Sequence, residues 1–291
     1  MIEISLVTSQ GDGEYTEYIK SNPLTLVYQD PQFIRILAET LHARCFWLEA
    51  RRAGKITGLL PFVVKQGPMG PVFNSLPYYG SNGGVIQVKQ ELESKIELVK
   101  AFYLIAKKEK GLSATIITNP FEEDNQFYDM HTQYDYRDER IGQVTHLPSD
   151  SGRLLECFEK PRPQNIRRAI KEKVFVNKEG SNGIDFLYET HISNLNTIGG
   201  LAKEKSFFDA IQGKLPESDW AIFTARINRE PIAALLTLYF NNTVEYYTPV
   251  IKTEYRNTQA LPLTIYIAMI DAVDHGYKYW NWGGTWPSQV G

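Results

Sequence analysis

Between Trp220 and Gly284 apolar and polar positions follow one another in an order that predicts a compact set of elements. Ala221–Arg226 alternates, Asn228-Arg229-Glu230-Pro231 reads as a turn, and Ile232–Phe240 is a longer apolar run. Asn241-Asn242 forms a second tight turn, after which Thr243–Ile251 alternates again. Alternation bounded by Asn and Pro predicts three antiparallel strands joined by hairpins. A polar connection, Lys252–Gln259, leads into Ala260–His275, which is apolar at helical spacing and closed by Gly276. Tyr277–Trp282 follows as a short aromatic strand. The predicted order is strand, strand, strand, helix, strand, an α/β core.

Upstream, Tyr28–Ala43 carries Phe33, Ile34, Leu37 and Leu41 at helical spacing behind Asp30-Pro31. Cys45–Glu49 and Ile56–Val64, joined by Arg52-Ala53-Gly54-Lys55, predict a β-hairpin. Its core is echoed later: Ala50-Arg51, four residues, then Ile56-Thr57-Gly58-Leu59-Leu60 resembles Ala225-Arg226, five residues, then Ile232-Ala233-Ala234-Leu235-Leu236. Gly67–Gly84 is rich in Gly, Pro, Ser and Asn and reads as a loop, either a plain connection or one that brings backbone N–H groups to a ligand. Glu91–Lys110 predicts a long amphipathic helix and Ser113–Thr118 a β-branched strand. Asp124–Arg140 is polar and suggests no chemistry. The Pro148–Gly152 run marks a boundary near Asp150, giving lobes at 1–150 and 151–291. His191–Lys205 and Phe207–Lys214 read as helices.

A net charge of −3 over 291 residues gives no global reason to expect DNA as a partner. One local exception is Lys160–Lys173, with six basic residues against one acid. Pro163 and Asn165 suit a helix start there, so Arg162, Arg167 and Arg168 read either as a solvated helix face or as a grip for a phosphate or diphosphate. The two cysteines, Cys45 and Cys157, lie far apart, which favours a reducing compartment. No signal peptide and no apolar stretch long enough to span a bilayer is apparent, and a cytoplasmic location is expected. Phosphate-loop, His-Glu-x-x-His and Cys-x-x-Cys patterns are absent. The histidines His42, His131, His146, His191 and His275 are scattered and read as surface or helix-end residues, so no metal site is expected.

Glu245-Tyr246-Tyr247 on the third strand, Arg256-Asn257 before the helix and Asn281-Trp282-Gly283-Gly284-Thr285 after it resemble the GNAT acyltransferase superfamily. Within it the sequence is most similar to the FemAB-like aminoacyl and acyl transferases of bacterial cell-envelope synthesis. Gly58-Leu59-Leu60-Pro61 and Ser75-Leu76-Pro77-Tyr78-Tyr79-Gly80 extend the likeness into the first half. The resemblance implies two tandem GNAT-like α/β lobes with mixed, largely antiparallel sheets, the active cleft formed chiefly by the second and bordered by the first. It implies attack by an amine of a small-molecule or lipid-linked precursor on an activated carbonyl, with positioning carrying much of the rate.

Tyr247 is then a hydroxyl for the acyl group or acceptor, or else a core aromatic. Glu245, on the same strand face, is a candidate base or else a solvent-facing residue. Arg162, Arg167, Arg168, Tyr78 and Tyr79 are expected at the acceptor, and Arg256 and Asn257 at the donor. Coenzyme-A-using GNAT proteins show Arg/Gln-x-x-Gly-x-Gly/Ala before the helix. Here Arg256 is followed by Asn257, Thr258, Gln259, Ala260, Leu261 and Pro262, without glycine. That leaves aminoacyl-tRNA or acyl-CoA as the donor, with a coenzyme-A-dependent N-acetyltransferase or a catalytically silent GNAT-like binding protein as rival readings.

Overall fold

Alternating side chains in the two predicted hairpins build two separate sheets. The computed structural model describes residues 1–8, 12–75 and 83–287. The chain divides into two compact units, Met1–Ile141 with Gly284–Gly291, and Gly142–Gly283.

The first unit contains β1 (Ile2–Val7), α1 (Asp12–Ser21), α2 (Pro31–Thr40), β2 (Arg44–Arg52), β3 (Lys55–Gly67), β4 (Gly70–Asn74), α3 (Leu92–Lys108), β5 (Ser113–Thr115) and α4 (Asn125–His131). Its sheet has the order β1-β2-β3-β4-β5. β2, β3 and β4 run antiparallel, and β5 joins β4 in parallel after the α3 crossover. Leu98, Val99 and Phe102 of α3 are buried against Leu48, Leu60, Phe62 and Phe73. Phe102 meets Phe62 edge-on at 5.3 Å, an arrangement aromatic rings favour.

The second sheet is built from β6 (Ile141–His146), β7 (Phe175–Glu179), β8 (Trp220–Ile227), β9 (Glu230–Phe240), β10 (Thr243–Ile251) and β11 (Tyr279–Thr285). Their order is β6-β11-β10-β9-β8-β7. Helices α5 (Arg162–Lys171), α6 (Ile184–Thr197), α7 (Lys205–Lys214) and α8 (Ala260–Asp274) accompany it. Ala268, Met269 and Ala272 of α8 pack on Phe223, Leu235, Val244 and Trp280. Ile166 and Ala169 of α5 join Ala260 and Leu263 in an adjoining cluster.

β8, β9, β10, α8 and β11 therefore repeat the order of β2, β3, β4, α3 and β5, three antiparallel strands, a helix and a strand parallel to the third. The two hairpins match to the residue. In each, the register shifts at the Ala-Arg pair, between Ala50 and Arg51 and between Ala225 and Arg226. Arg51 faces Ile56 and Arg226 faces Pro231, so both turns hold four residues and the extra bulged residues are Thr57 and Ile232. The sequence echo, which set Ile56 against Ile232, is out by one position: Pro231 is the structural counterpart of Ile56. An apolar identity had outweighed the turn geometry.

Two other expectations are corrected. The Gly67–Gly84 loop contains β4, which starts at Gly70 with φ +143°, a backbone that glycine tolerates. The helix expected at His191–Lys205 starts earlier, at Ile184, and stops at Thr197. Gly199, with φ +69°, and Gly200 end it, their N–H groups returning to the Asn196 and Leu195 carbonyls. Edge strands β1, β6 and β7 were not foreseen, because each exposes about half or more of its positions and shows no continuous apolar face.

Phe102 is fully buried between two other rings. Phe102→Ala should cost about 3–5 kcal/mol, read as a lower urea midpoint at unchanged slope.

Candidate functional site

The site is built where two parallel strands part. β10 and β11 pair over three positions only, Thr243 with Tyr279, Val244 with Trp280 and Glu245 with Asn281. Beyond them β10 continues along β9 to Ile251. Immediately after the fork β10 bulges: the register with β9 jumps from Tyr246 opposite Thr237 to Thr248 opposite Leu236. Tyr247 is the extra residue. Such a bulge re-aims side chains and loosens the ladder locally.

Glu245 closes the fork. It is 2% exposed, which removes the solvent-facing alternative. A buried carboxylate is costly unless hydrogen-bonded, and Asn281, itself fully buried, donates from Nδ2 to Glu245 Oε2 at 2.9 Å. Asn281 Oδ1 accepts the Gly283 N–H at 3.0 Å, and Gly283 has φ +88°. One amide thus ties β10, where its pairing with β11 ends, to the backbone of β11 at Gly283.

The faces of β10 have different surroundings. Val244 lies in the α8 cluster, and Tyr246 packs there beside Trp282 at 5.2 Å. Trp282 Nε1 donates to Thr145 Oγ1 at 2.9 Å. Burial pushes the Tyr246 hydroxyl up to about 12, opposed by the positive charge of Arg162, the first residue of α5. By alternation Glu245 and Tyr247 face the other way, toward α6 and α7, where Tyr247 meets Phe207 at 5.9 Å.

On that face sits a pair that sequence reasoning missed. Lys203 Nζ lies 5.1 Å over the Tyr247 ring and donates to Thr248 Oγ1 at 3.4 Å. Burial pulls its ammonium down to about 8. Its backbone N–H donates to His191 Nε2 at 3.0 Å. His191 is buried, not a surface residue, and meets Phe208 edge-on. Burial first, then the charge of Lys203, lowers His191 to about 4, so the ring is neutral and free to accept. The available signal was the Gly199-Gly200 break, which places Lys203 in a connection after a helix; His191 had none.

The other candidates are spread out. Arg162, Arg167 and Arg168 are exposed on α5, and Arg168 forms an i,i+4 pair with Glu172 at 3.0 Å. Arg256 and Asn257 are exposed on the 3-10 turn Thr253–Thr258 that leads into α8. Behind them Gln259 has φ +59°, Thr258 Oγ1 accepts the Ala260 N–H at 3.3 Å, and Pro262 has no N–H. Of the first-turn positions Ala260, Leu261 and Pro262, only Leu261 keeps an amide for an anion. Tyr78 and Tyr79 lie outside the described residues.

Comparison with known families matches residues 164–286, from α5 through β11, to the acetyltransferase (GNAT) domain. The matched span resembles a GNAT domain, and the parting strands, the bulge and α8 all lie within it. The whole chain takes the fold of FemX, with 16% identity, TM-score 0.75, and 97% of this chain and 89% of FemX covered. L-PGS from Bacillus licheniformis aligns at 15% identity and TM-score 0.54, covering 90% of this chain and 78% of that one. A tandem GNAT protein from the clavulanic acid biosynthesis pathway aligns at 9% identity and TM-score 0.54, covering 99% and 91%. No curated protein sequence matches.

Because His191 is neutral in the fold and its lowered pKa lies below the unfolded value, the unfolded chain binds the extra proton. Stability should therefore fall as pH drops from about 6.5 toward 4. Melting temperatures across that window should decline less steeply in His191→Gln, which keeps an acceptor but does not titrate.

Proposed function

We propose that this protein transfers an acyl or aminoacyl group to an amine on a cell-envelope or polysaccharide precursor. The observation that carries the reading is the fork itself: β10 leaves β11 at a buried Glu245–Asn281 pair and bulges at Tyr247. In a GNAT domain this opening lets an extended donor lie along β10, with its carbonyl beside the bulge. In-line attack by a held amine then needs little beyond orientation. Tyr247 offers a hydroxyl to the acyl carbonyl or to the acceptor. Glu245, 2% exposed and fixed by Asn281, suits holding the fork in place better than it suits a shuttle of protons.

Two further observations favour an aminoacyl ester over coenzyme A as the donor. The turn before α8 offers one amide where a pyrophosphate needs several, and the FemX fold spans nearly the whole chain. The C-terminal domain of a protein named as a lysylphosphatidylglycerol synthetase of Agrobacterium fabrum also shares the fold, at 12% identity and TM-score 0.55. Among the described residues no helix is long and apolar enough to cross a membrane. A lipid-linked acceptor would therefore be met without a membrane-spanning helix from this part of the chain. Exposed Arg256 at the start of α8 is the feature that keeps the coenzyme A reading alive, since it supplies one charge at a helix N-terminus.

Calorimetry and a transfer assay decide between them. Acetyl-CoA should bind weakly, while aminoacyl-tRNA should label an amine-bearing nucleotide-diphosphate-sugar precursor. Tight acetyl-CoA binding that is lost in Arg256→Ala would move the protein to the coenzyme-A class. A silent wild type with every donor would make it a binding protein.

The acceptor's phosphates are assigned to α5, where Arg can make bidentate contacts. Arg162→Ala with Arg167→Ala should raise the acceptor KM roughly tenfold or more, about 1.4 kcal/mol, with melting temperature nearly unchanged. An unchanged KM would leave these as idle surface charges.

A further inference from the structure

Amine acylation needs a group that takes a proton from the acceptor, because an alkylammonium has no lone pair with which to attack. Glu245 is poorly placed for that exchange, being sealed from solvent and already accepting from Asn281. On the same side of β10 the bulge turns two consecutive residues, Tyr247 and Thr248, toward one side chain: Lys203 Nζ contacts the ring of the first and the hydroxyl of the second. Its backbone is fixed in turn by buried His191, after Gly199 and Gly200 have ended α6. A flexible lysine in a connecting segment is thus anchored at its backbone and aimed at the bulge.

We propose that Lys203 is the residue that accepts the proton of the attacking amine. The proposal rests on the transferase reading above. The neutral Nζ takes one proton from the acceptor's ammonium, and the freed lone pair attacks the carbonyl carbon of the donor ester or thioester, forming the C–N bond. The nitrogen's second proton goes to the leaving oxygen or sulfur as its bond to that carbon breaks. Lys203 returns its proton to solvent after product leaves. Net, an ammonium and an ester or thioester give an amide, an alcohol or thiol, and a proton.

The surroundings support this role. The ammonium sits over the Tyr247 ring, and burial brings its pKa to about 8, close to working pH, where a base is most effective. Of the titratable groups around it, His191 on α6 stays neutral above about pH 4, Tyr247 and Glu245 come from β10, and the neighbouring Glu204 is exposed. Lys205, at the start of α7, is occupied by Asp185 and Asp209.

The test compares wild type, Lys203→Arg and Lys203→Ala in the transfer assay over pH 6–10 on the intact chain. Arginine keeps the charge but does not give up its proton. In wild type, kcat/KM should rise with pH through about 8. In Lys203→Arg, kcat should fall roughly 10²-fold or more while acceptor KM stays close to wild type. Should arginine not fit, Lys203→Ala serves instead, and its activity should be restored by small primary amines in proportion to their free-base concentration. Near-normal kcat in Lys203→Arg, or an alanine variant that amines do not rescue, would overturn the proposal and leave Lys203 a fixed positive charge. A readout independent of turnover is the NMR titration of carbon-13 dimethylated lysines. One resonance should titrate near 8 and vanish in Lys203→Arg, and a Lys203 that titrates with the other lysines near 10.4 would also overturn it. Wild type that transfers nothing would instead fail the transferase reading, and the assignment with it.

Discussion

The whole second unit turns on how few residues β10 and β11 share. Three parallel pairs hold the two strands together, and the last of them is a carboxylate facing an amide in the interior. A longer ladder would zip the strands shut along their length and leave no opening between them. A shorter one would detach β11, which supplies buried Trp280 to the α8 cluster. Glu245 and Asn281 set the limit because their hydrogen bond gives Glu245 Oε2 a donor and the Asn281 amide an acceptor at the point where pairing stops. Burying either alone would leave an uncompensated polar group in the core.

Duplication explains much of the remainder. The strand order, the crossover helix and the bulge after an Ala-Arg pair recur in both units. Both arginines also find acidic partners at the hairpin end, Arg51 with Glu14 and Glu49 and Arg226 with Glu179. What the copies do not share is the fork chemistry. β4 and β5 pair over Val72–Asn74 and Ser113–Thr115. The last pair there is Asn74 with Thr115, where the second unit has Glu245 with Asn281.

How far the sequence could be read follows from burial. β8, β9, β10 and α8 were legible because apolar faces leave a period in the chain, and β11 because its aromatic run follows a helix stop. Edge strands β1, β6 and β7 were not, since half-exposed strands leave little alternation. Glu245 and Tyr247 could be singled out from their strand, but alternation alone gave no sign of the bulge, which depends on the partner strand. Lys203 and His191 are single residues brought together by the end of α6, and no spacing rule connects a histidine to a lysine twelve positions on. Their association is a property of the fold, visible only once α6 and β10 are in place.

Gln259 carries one more implication. In the pattern Arg-x-x-Gly-x-Gly/Ala that begins at Arg256, Gln259 occupies the first glycine position, and its φ of +59° is a conformation in which glycine is at ease and glutamine is not. At that one position the backbone thus has the conformation a glycine turn would use, with a side chain attached. In the transferase proposed above, donor preference and reaction chemistry would be written in different places, the first in a few side chains ahead of α8 and the second at the fork. Lineages of this fold could exchange one carrier of acyl groups for another by altering that turn alone, leaving the catalytic architecture untouched.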